Sequence, residues 1–192
     1  RSSQVPCFSG ARVSRGMAFM TPAVWVSFGI AFLLVVVLSF AMENVIRYTE
    51  SIRIAAPVEV VYDAIRFQER LGQWSAWPEM TASTCRAEGP SGQVGERMIY
   101  LKRGKPFGHQ TVVALRNNEA VKIELYDPSP FGQEPVVEFV LAPDKSHTTC
   151  DLVFTNSIPR PWHLVIRFAG LPEWTRDLHQ KDLAGLKRYA EQ

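Results

Sequence analysis

The hydrophobic pattern begins with twenty uncharged residues at positions 23–42, AVWVSFGIAFLLVVVLSFAM. At about 1.5 Å per residue, a helix of this length crosses the roughly 30 Å hydrocarbon core of a bilayer. We therefore predict a transmembrane anchor over residues 21–43, after a disordered tail over residues 1–20. A cleaved signal peptide is the alternative, because residues 39–41 (Ser-Phe-Ala) resemble a cleavage site. The length of the run favours an uncleaved anchor, since a signal peptide has an apolar stretch of only about 7–15 residues.

The flanking charges leave the membrane orientation open. Three arginines precede the run and two follow closely, at positions 47 and 53. This balance weakly favours an internal N-terminus and an external domain. If translation begins at Met17, the preceding arginines are lost and the inference reverses. We predict a single-pass membrane protein and leave the side of its remaining domain undecided.

After the apolar run, the spacing of hydrophobic residues is first every second residue, as in a strand, and then every third or fourth residue, as in a helix. Residues 45–54 (VIRYTESIRI) alternate and are rich in β-branched side chains, which predicts a strand. In residues 56–65 the apolar positions fall at helical spacing after Pro57, which suits a first helical turn. A second short helix is predicted over residues 67–74, although Gly72 weakens that prediction.

Six further strands are predicted between residues 81 and 156. Turn signals rich in Gly, Pro, Asn and Asp separate six short segments near 81–88, 95–103, 107–116, 119–126, 134–142 and 147–156. Strands at this spacing without intervening helices indicate an antiparallel sheet. In VKIELYD, for example, Val121, Ile123 and Leu125 alternate with charged residues. One face of the sheet is therefore apolar and must be covered.

The C-terminal segment predicts the covering element. Trp174, Leu178, Leu186 and Tyr189 recur at roughly 3.6-residue steps, which indicates one long helix. Gly170 and Pro172 interrupt the pattern, so a short helix or loop should precede it. The predicted fold class is α+β, with a long C-terminal helix across a curved antiparallel sheet.

Three stretches of the sequence then suggest a family. SIRIAAPVEVVYDAI, WSAWP and DLAGLKRYAEQ, taken in this order of elements, resemble the START-like (SRPBCC) superfamily, and within it the polyketide cyclase/dehydrase and lipid-transport group. The resemblance covers residues 45–192 and implies a helix-grip fold, in which a seven-stranded sheet holds the long helix over a hydrophobic cavity. Similar proteins bind lipids, sterols, polyketides or aromatic metabolites, and some catalyse cyclisation or dehydration.

The resemblance selects a set of candidate ligand-binding residues from the predicted inner face. A closed core is the alternative for such an apolar stripe. We expect a cavity to be lined by Trp77, Tyr100, His109, Ile123, Leu125, Phe139, Leu152, Phe154, Trp174 and Leu178. No catalytic residue is assigned.

The tryptophan pair and His109 each have two interpretations. An indole buries a large area, so Trp74 is expected in the core, while Trp77 beside Pro78 fits either the core or a pocket. His109 faces inward if its strand buries Thr111 and Val113, where it could bond a ligand or move a proton. If Val112 and Ala114 face inward instead, His109 lies in solvent.

Composition excludes several other functions. With 21 basic and 19 acidic residues the formal net charge is +2, and no basic run suggests nucleic acid as a partner. The cysteines and histidines fit no metal-site spacing, so neither a metal nor a cofactor is predicted. In the family fold the strands of Cys85 and Cys150 usually flank the first strand. That arrangement places the two cysteines too far apart for a disulfide, so free thiols are expected.

These observations give three functional hypotheses. The first is a membrane-tethered module, attached through residues 23–42, that binds or transfers a small hydrophobic molecule and is not an enzyme. The second is a cyclase/dehydrase-type enzyme with a pocket His or Tyr, and the third is a structural or regulatory domain with a filled core. A substantial cavity would argue against the third, and convergent titratable groups inside it would favour the second.

Overall fold

The structure is a computed structural model that describes residues 22–126 and 134–192. The chain divides into two units, residues 1–37 and 38–192. The predicted tail over residues 1–20 lies outside the described residues. The apolar run forms helix α1, Pro22–Ala41, which is 20 residues long and carries no charged side chain. Its length and composition are sufficient to cross a membrane.

The second unit contains seven strands and five helices among its described residues, in addition to the end of α1. The strands are β1 Val45–Ile54, β2 Thr84–Glu88, β3 Arg97–Lys102, β4 Lys105–Arg116, β5 Ala120–Tyr126, β6 Val136–Asp144 and β7 His147–Ser157. The helices are α2 Val58–Arg66, α3 Gln68–Leu71, α4 Trp77–Thr81, α5 Trp162–Phe168 and α6 Leu171–Ala190. All six predicted later strands are present. The short helical region is divided differently from the prediction, because α3 ends at Leu71 and α4 begins only at Trp77.

The strands form one antiparallel sheet in the order β1-β7-β6-β5-β4-β3-β2. The predicted α+β helix-grip architecture, with a long C-terminal helix, is therefore confirmed. The family fold led us to expect β2 and β7 on either side of β1. This is wrong for the strands that the structure describes, because β1 pairs with β7 at one edge of the sheet and β2 lies at the other edge. Cys85 on β2 and Cys150 on β7 are consequently farther apart in the strand order than expected, and both are free.

A bulge in β4 resolves the two predicted registers of that strand. Val112 pairs with Ile123. The next residue of β4 that faces the same side is Leu115, which pairs with Val121, because the register shifts between Val112 and Ala114. An extra residue in one strand lets two positions three apart face the same side. Neither simple alternation was therefore correct along the whole strand.

A closed core fills one part of the space between the helices and the sheet. Ile54, Val61, Ile65 and Leu186 are fully buried where α2 and α6 pack on the sheet. Burying each of these side chains contributes on the order of 1.5–3 kcal/mol relative to exposure. This packing fixes the C-terminal part of α6 and thereby positions the site described next.

Candidate ligand-binding cavity

A cavity of about 490 Å³ lies between the sheet, the N-terminal part of α6 and the segment that carries α3 and α4. Its wall is mainly aromatic and aliphatic. Volume and lining are both typical of sites that hold small hydrophobic molecules. Inward-facing positions of five neighbouring strands, β3 to β7, form the floor, because side chains alternate along each strand.

All ten candidate residues chosen from the sequence line this cavity. They are Trp77, Tyr100, His109, Ile123, Leu125, Phe139, Leu152, Phe154, Trp174 and Leu178. The structure thus brings these side chains around one space. Their role in ligand binding stays a prediction.

The two tryptophans of the WSAW stretch have different surroundings. Trp74 is buried, donates a hydrogen bond from Nε1 to the Ala64 carbonyl at 2.9 Å, and meets Phe139 edge-on. The predicted core position of Trp74 is confirmed, although one side of it also reaches the cavity wall. Trp77 is half-buried and lies between the rings of Tyr100 and Trp174, at centroid distances of 6.0 and 6.1 Å. Trp77 therefore belongs to an aromatic group that lines the cavity.

Two residues of α6 hold this tryptophan segment in place. The carboxylate Oδ1 of Asp182 accepts hydrogen bonds from the Ala76 amide at 2.7 Å and the Ser75 hydroxyl at 3.0 Å. One turn later, Gly185 packs so closely that a Cβ there would lie 2.0 Å from the Trp74 carbonyl oxygen. Only glycine permits this approach between helix and segment.

A buried chain of hydrogen bonds fixes the direction of the Tyr100 hydroxyl. Gln68 Nε2 donates to the Ile65 carbonyl at 3.2 Å, Gln110 Nε2 donates to Gln68 Oε1 at 2.6 Å, and Tyr100 donates to Gln110 Oε1 at 2.7 Å. Because the chain ends on a carbonyl, which can only accept, every donor in it is assigned. The Tyr100 oxygen therefore has only acceptor capacity left for a ligand.

His179 and Tyr48 form a second polar pair beside the cavity. The Tyr48 hydroxyl lies 2.8 Å from Nδ1 of His179, and both side chains are buried. Burial lowers the pKa of His179 to about 4, so the imidazole is neutral near pH 7. Burial also raises the pKa of Tyr48 to about 12. Nε2 of His179 has no hydrogen-bond partner within residues 22–126 and 134–192.

Asp182 is the single carboxylate among the described lining residues. Burial raises its pKa to about 6, against the opposing effect of the hydrogen bonds from Ala76 and Ser75. The described lining contains neither lysine nor arginine. A buried anionic ligand would therefore meet no cation and would be repelled by ionised Asp182.

His109 occupies neither of its two predicted environments fully. Gln110 and Val112 on the same strand are buried, so His109 lies on the opposite face of β4. It is nevertheless half-buried, because its ring stacks on Tyr126 at a centroid distance of 4.8 Å. Burial is also the largest cause of its lowered pKa. His109 is a residue of the cavity rim rather than of its floor.

The sequence reasoning missed the polar residues Gln68, Gln110, His179 and Asp182. For Asp182 a signal existed, because it continues the helical spacing of Trp174 and Leu178 with a carboxylate at an apolar-face position. A charged residue at such a position indicates either a partner or a site. No group of three metal-ligating side chains was found in the part of the chain that the structure describes.

Comparison with known families agrees with this geometry. The family model described as polyketide cyclase/dehydrase and lipid transport matches residues 45–191, which is the whole sheet together with α2 to α6. The chain belongs to this family. None of the curated proteins compared with the sequence matches it.

Solved structures share the fold of this polyketide cyclase/dehydrase and lipid-transport family member. A protein of Chromobacterium violaceum is 23% identical, with a TM-score of 0.55 over 79% of this chain and 99% of its own. Norcoclaurine synthase of Thalictrum flavum, bound to a transition-state analogue, is 11% identical, with a TM-score of 0.58 over 76% of this chain and 94% of the enzyme. The di-domain ARO/CYC protein StfQ of the steffimycin biosynthetic pathway is 14% identical, with a TM-score of 0.56 over 77% of this chain and 52% of its own. At these identities the similarity shows the fold alone.

Proposed function

We propose that the protein is a membrane-tethered module that binds or transfers a small hydrophobic molecule. The observation that carries this proposal is the cavity of about 490 Å³ with its mainly apolar, aromatic wall. At about 25 cal/mol per Å² of buried apolar surface, such a wall supplies most of the affinity for an apolar ligand. A filled core, the structural alternative, would leave no such space.

The tether in this proposal is α1. Its 20 residues contain no charged side chain and match the bilayer thickness. Tethering suits a hydrophobic cargo, because the bilayer is then its nearest source or destination. The chain would be a single-pass membrane protein, with residues 45–192 forming the ligand-binding domain.

The polar groups of the cavity favour an uncharged ligand that bears a hydroxyl and a carbonyl. Tyr100 offers an acceptor, which suits a ligand hydroxyl. Neutral His179 has Nε2 available, and when Nδ1 accepts from Tyr48 the imidazole proton resides on Nε2, where it suits a carbonyl. An anion lacks any cationic partner among the described lining residues. The proposed ligand class is therefore a neutral, mostly apolar hydroxy-carbonyl compound.

Three probes built on one naphthalene body test this proposal. A hydroxylated acetylnaphthalene has both polar groups, acetylnaphthalene lacks the hydroxyl, and hydroxynaphthoate carries a negative charge. Their dissociation constants are measured by calorimetry on the full chain in nanodiscs, with empty nanodiscs as the blank. We expect the first to bind about fivefold more tightly than the second and about 100-fold or more tightly than the third.

Two variants test whether Tyr100 causes the preference for the probe that bears a hydroxyl. Tyr100→Phe should abolish the difference between the first two probes, whereas Tyr126→Phe, at the half-exposed rim, should preserve it. Failure of every probe to bind would contradict the carrier function. Equal or tighter binding of hydroxynaphthoate would contradict only the neutral ligand class.

A second candidate function is acid–base catalysis, because Tyr100, His179 and Asp182 line the same cavity. A carboxylate with a pKa of about 6 is suited to accept a proton from a carbon next to a ketone. In the tautomer whose Nδ1 accepts from Tyr48, His179 can donate from Nε2 to the ketone oxygen. Incubation of the acetylnaphthalene probes in D₂O tests this directly. Deuterium entering the methyl group faster with wild type than with Asp182→Asn would favour the enzyme, and exchange at the buffer rate with both would favour the carrier.

A further inference from the structure

Helix α5 exposes an apolar face to its surroundings. Trp162, Val165 and Phe168 have relative exposures of 46%, 56% and 77%. They are spaced three residues apart, so they lie along one side of the helix. Three large apolar side chains grouped on one side are typical of a surface that contacts another molecule or a membrane.

The opposite side of α5 is also apolar, but it is packed. Leu164 and His163 are buried, and Ile166 packs against the core and lines the cavity. A short helix on a water-exposed surface normally has a polar outer side. α5 therefore has one side packed against the domain and an exposed apolar side.

The position of α5 in the fold identifies the occupant of this face. Hydrogen bonds connect the residues just before α5 with the residues around the end of α1. Ile158 and Asn44 exchange two hydrogen bonds, at 2.9 and 3.2 Å, and Arg160 Nε donates to the Ser39 carbonyl at 2.7 Å. α1 ends at Ala41, so α5 begins close to the point where the chain would leave a bilayer.

Charge near α5 is consistent with a lipid headgroup region. A surface depression beside it is lined by Arg47, Arg167 and Arg176, together with Glu43 and Glu173. The three arginines outnumber the two glutamates, which favours contact with anionic headgroups. Tryptophan is also a residue that prefers the membrane interface.

We propose that Trp162, Val165 and Phe168 insert into the interface of the bilayer that α1 enters. This inference rests on the proposed tether. It places the cavity wall formed by Ile166, on the other side of the same short helix, next to the lipid. A hydrophobic ligand would then pass between the bilayer and the cavity without a long path through water.

Fluorescence quenching by brominated lipids tests this inference on the full chain. The protein is reconstituted into vesicles of phosphatidylcholine with a minority of phosphatidylglycerol, with bromines placed just below the headgroups. We expect shallow bromines to quench Trp162→Phe clearly less than wild type. Trp25 lies near the start of α1, about 24 Å from its end at Ala41, so its own quenching at the far interface is the same in both proteins.

A matched variant moves the tryptophan to another part of the sheet. In Trp162→Phe/Asn117→Trp the number of tryptophans stays the same, but the new one lies in the β4–β5 turn, at the sheet end remote from Val45 and Ser157. Its emission should resist the bromines. Equal quenching in wild type and in Trp162→Phe would overturn the inference.

An alkaline carbonate wash separates this inference from the tether. Protein that remains in the vesicles after the wash but shows no quenching of Trp162 overturns the α5 contact alone. Protein that the wash releases overturns the tether, and the α5 contact with it.

Discussion

The C-terminal half of α6 packs closely against its surroundings, whereas its N-terminal half lines a cavity. Leu183 and Leu186 are almost fully buried, and Gly185 allows the tryptophan segment to approach the helix backbone. Toward the N-terminus, Trp174 is exposed by 43%, and Leu178 contributes to the cavity wall. One helix thus combines a closed core and an open site.

This difference has a simple physical origin. Close packing requires a small residue at the contact, which Gly185 provides, and interior packing tolerates few voids. The cavity persists because a polar contact, Asp182 with Ser75 and Ala76, holds the neighbouring segment at a fixed position. Substitutions in the C-terminal half should therefore change stability, while those in the N-terminal half should mainly change binding.

The largest expected effect is that of Gly185→Ala. The new Cβ would lie 2.0 Å from the Trp74 carbonyl oxygen, so backbone must move. We expect a loss of about 3 kcal/mol in the free energy of unfolding, because overpacking against backbone is not relieved by a rotamer change. Urea denaturation of the full chain in micelles measures it. The control is Gly72→Ala, whose Cβ would meet Cys85 at an ordinary 4.0 Å. Equal midpoints for the two variants would contradict the close approach.

A pair of leucine truncations should separate the two halves. Leu186→Ala empties a fully buried position and should cost about 3 kcal/mol. Leu178→Ala enlarges an existing cavity, so we expect a cost of about 1–1.5 kcal/mol together with altered affinity for the naphthalene probes. Denaturation and calorimetry on both variants provide the comparison. A larger stability loss for Leu178→Ala than for Leu186→Ala would show that the space beside Leu178 is closed.

The pH dependence of the free energy of unfolding should change less than the truncations change that energy. It depends on two titratable groups of α6 that line the cavity, His179 and Asp182. The folded-state pKa of Asp182 is raised from 3.8 to about 6, so its contribution to stability falls as pH rises through that window. The pKa of His179 is lowered from 6.5 to about 4, so its contribution falls as pH drops. In the wild type these two slopes oppose each other.

Removing one of the two groups should reveal the other. In Asp182→Asn, stability should rise with pH between about 4 and 6.5 more steeply than in wild type, by on the order of 1–2 kcal/mol in total. Asp177→Asn, an exposed change on the same helix, should leave the wild-type profile intact. Denaturation midpoints across this pH range measure the effect. Parallel profiles for wild type and Asp182→Asn would mean that Asp182 titrates normally.

The sequence predicted the sheet and the cavity floor because both follow from simple periodicity. Alternation along β5 placed Ile123 and Leu125 on the inner face, and helical spacing placed Leu178 on the covering side of α6. The buried polar groups of the site were not predicted, because glutamines such as Gln110 do not contribute to a hydrophobic periodicity and are buried only by tertiary contacts. The bulge in β4 was likewise invisible, since an extra residue changes the facing of a strand without changing its composition.

The most direct test of the central claim is native mass spectrometry of the full chain, purified from its host in mild detergent. If the space beside the N-terminal half of α6 holds a hydrophobic molecule, a neutral compound should co-purify reproducibly, and the hydroxylated acetylnaphthalene should displace it. The same preparation of Leu178→Trp, which fills the cavity, should carry less of that compound. A ligand-free mass for the wild type that does not change when the probe is added would contradict the account.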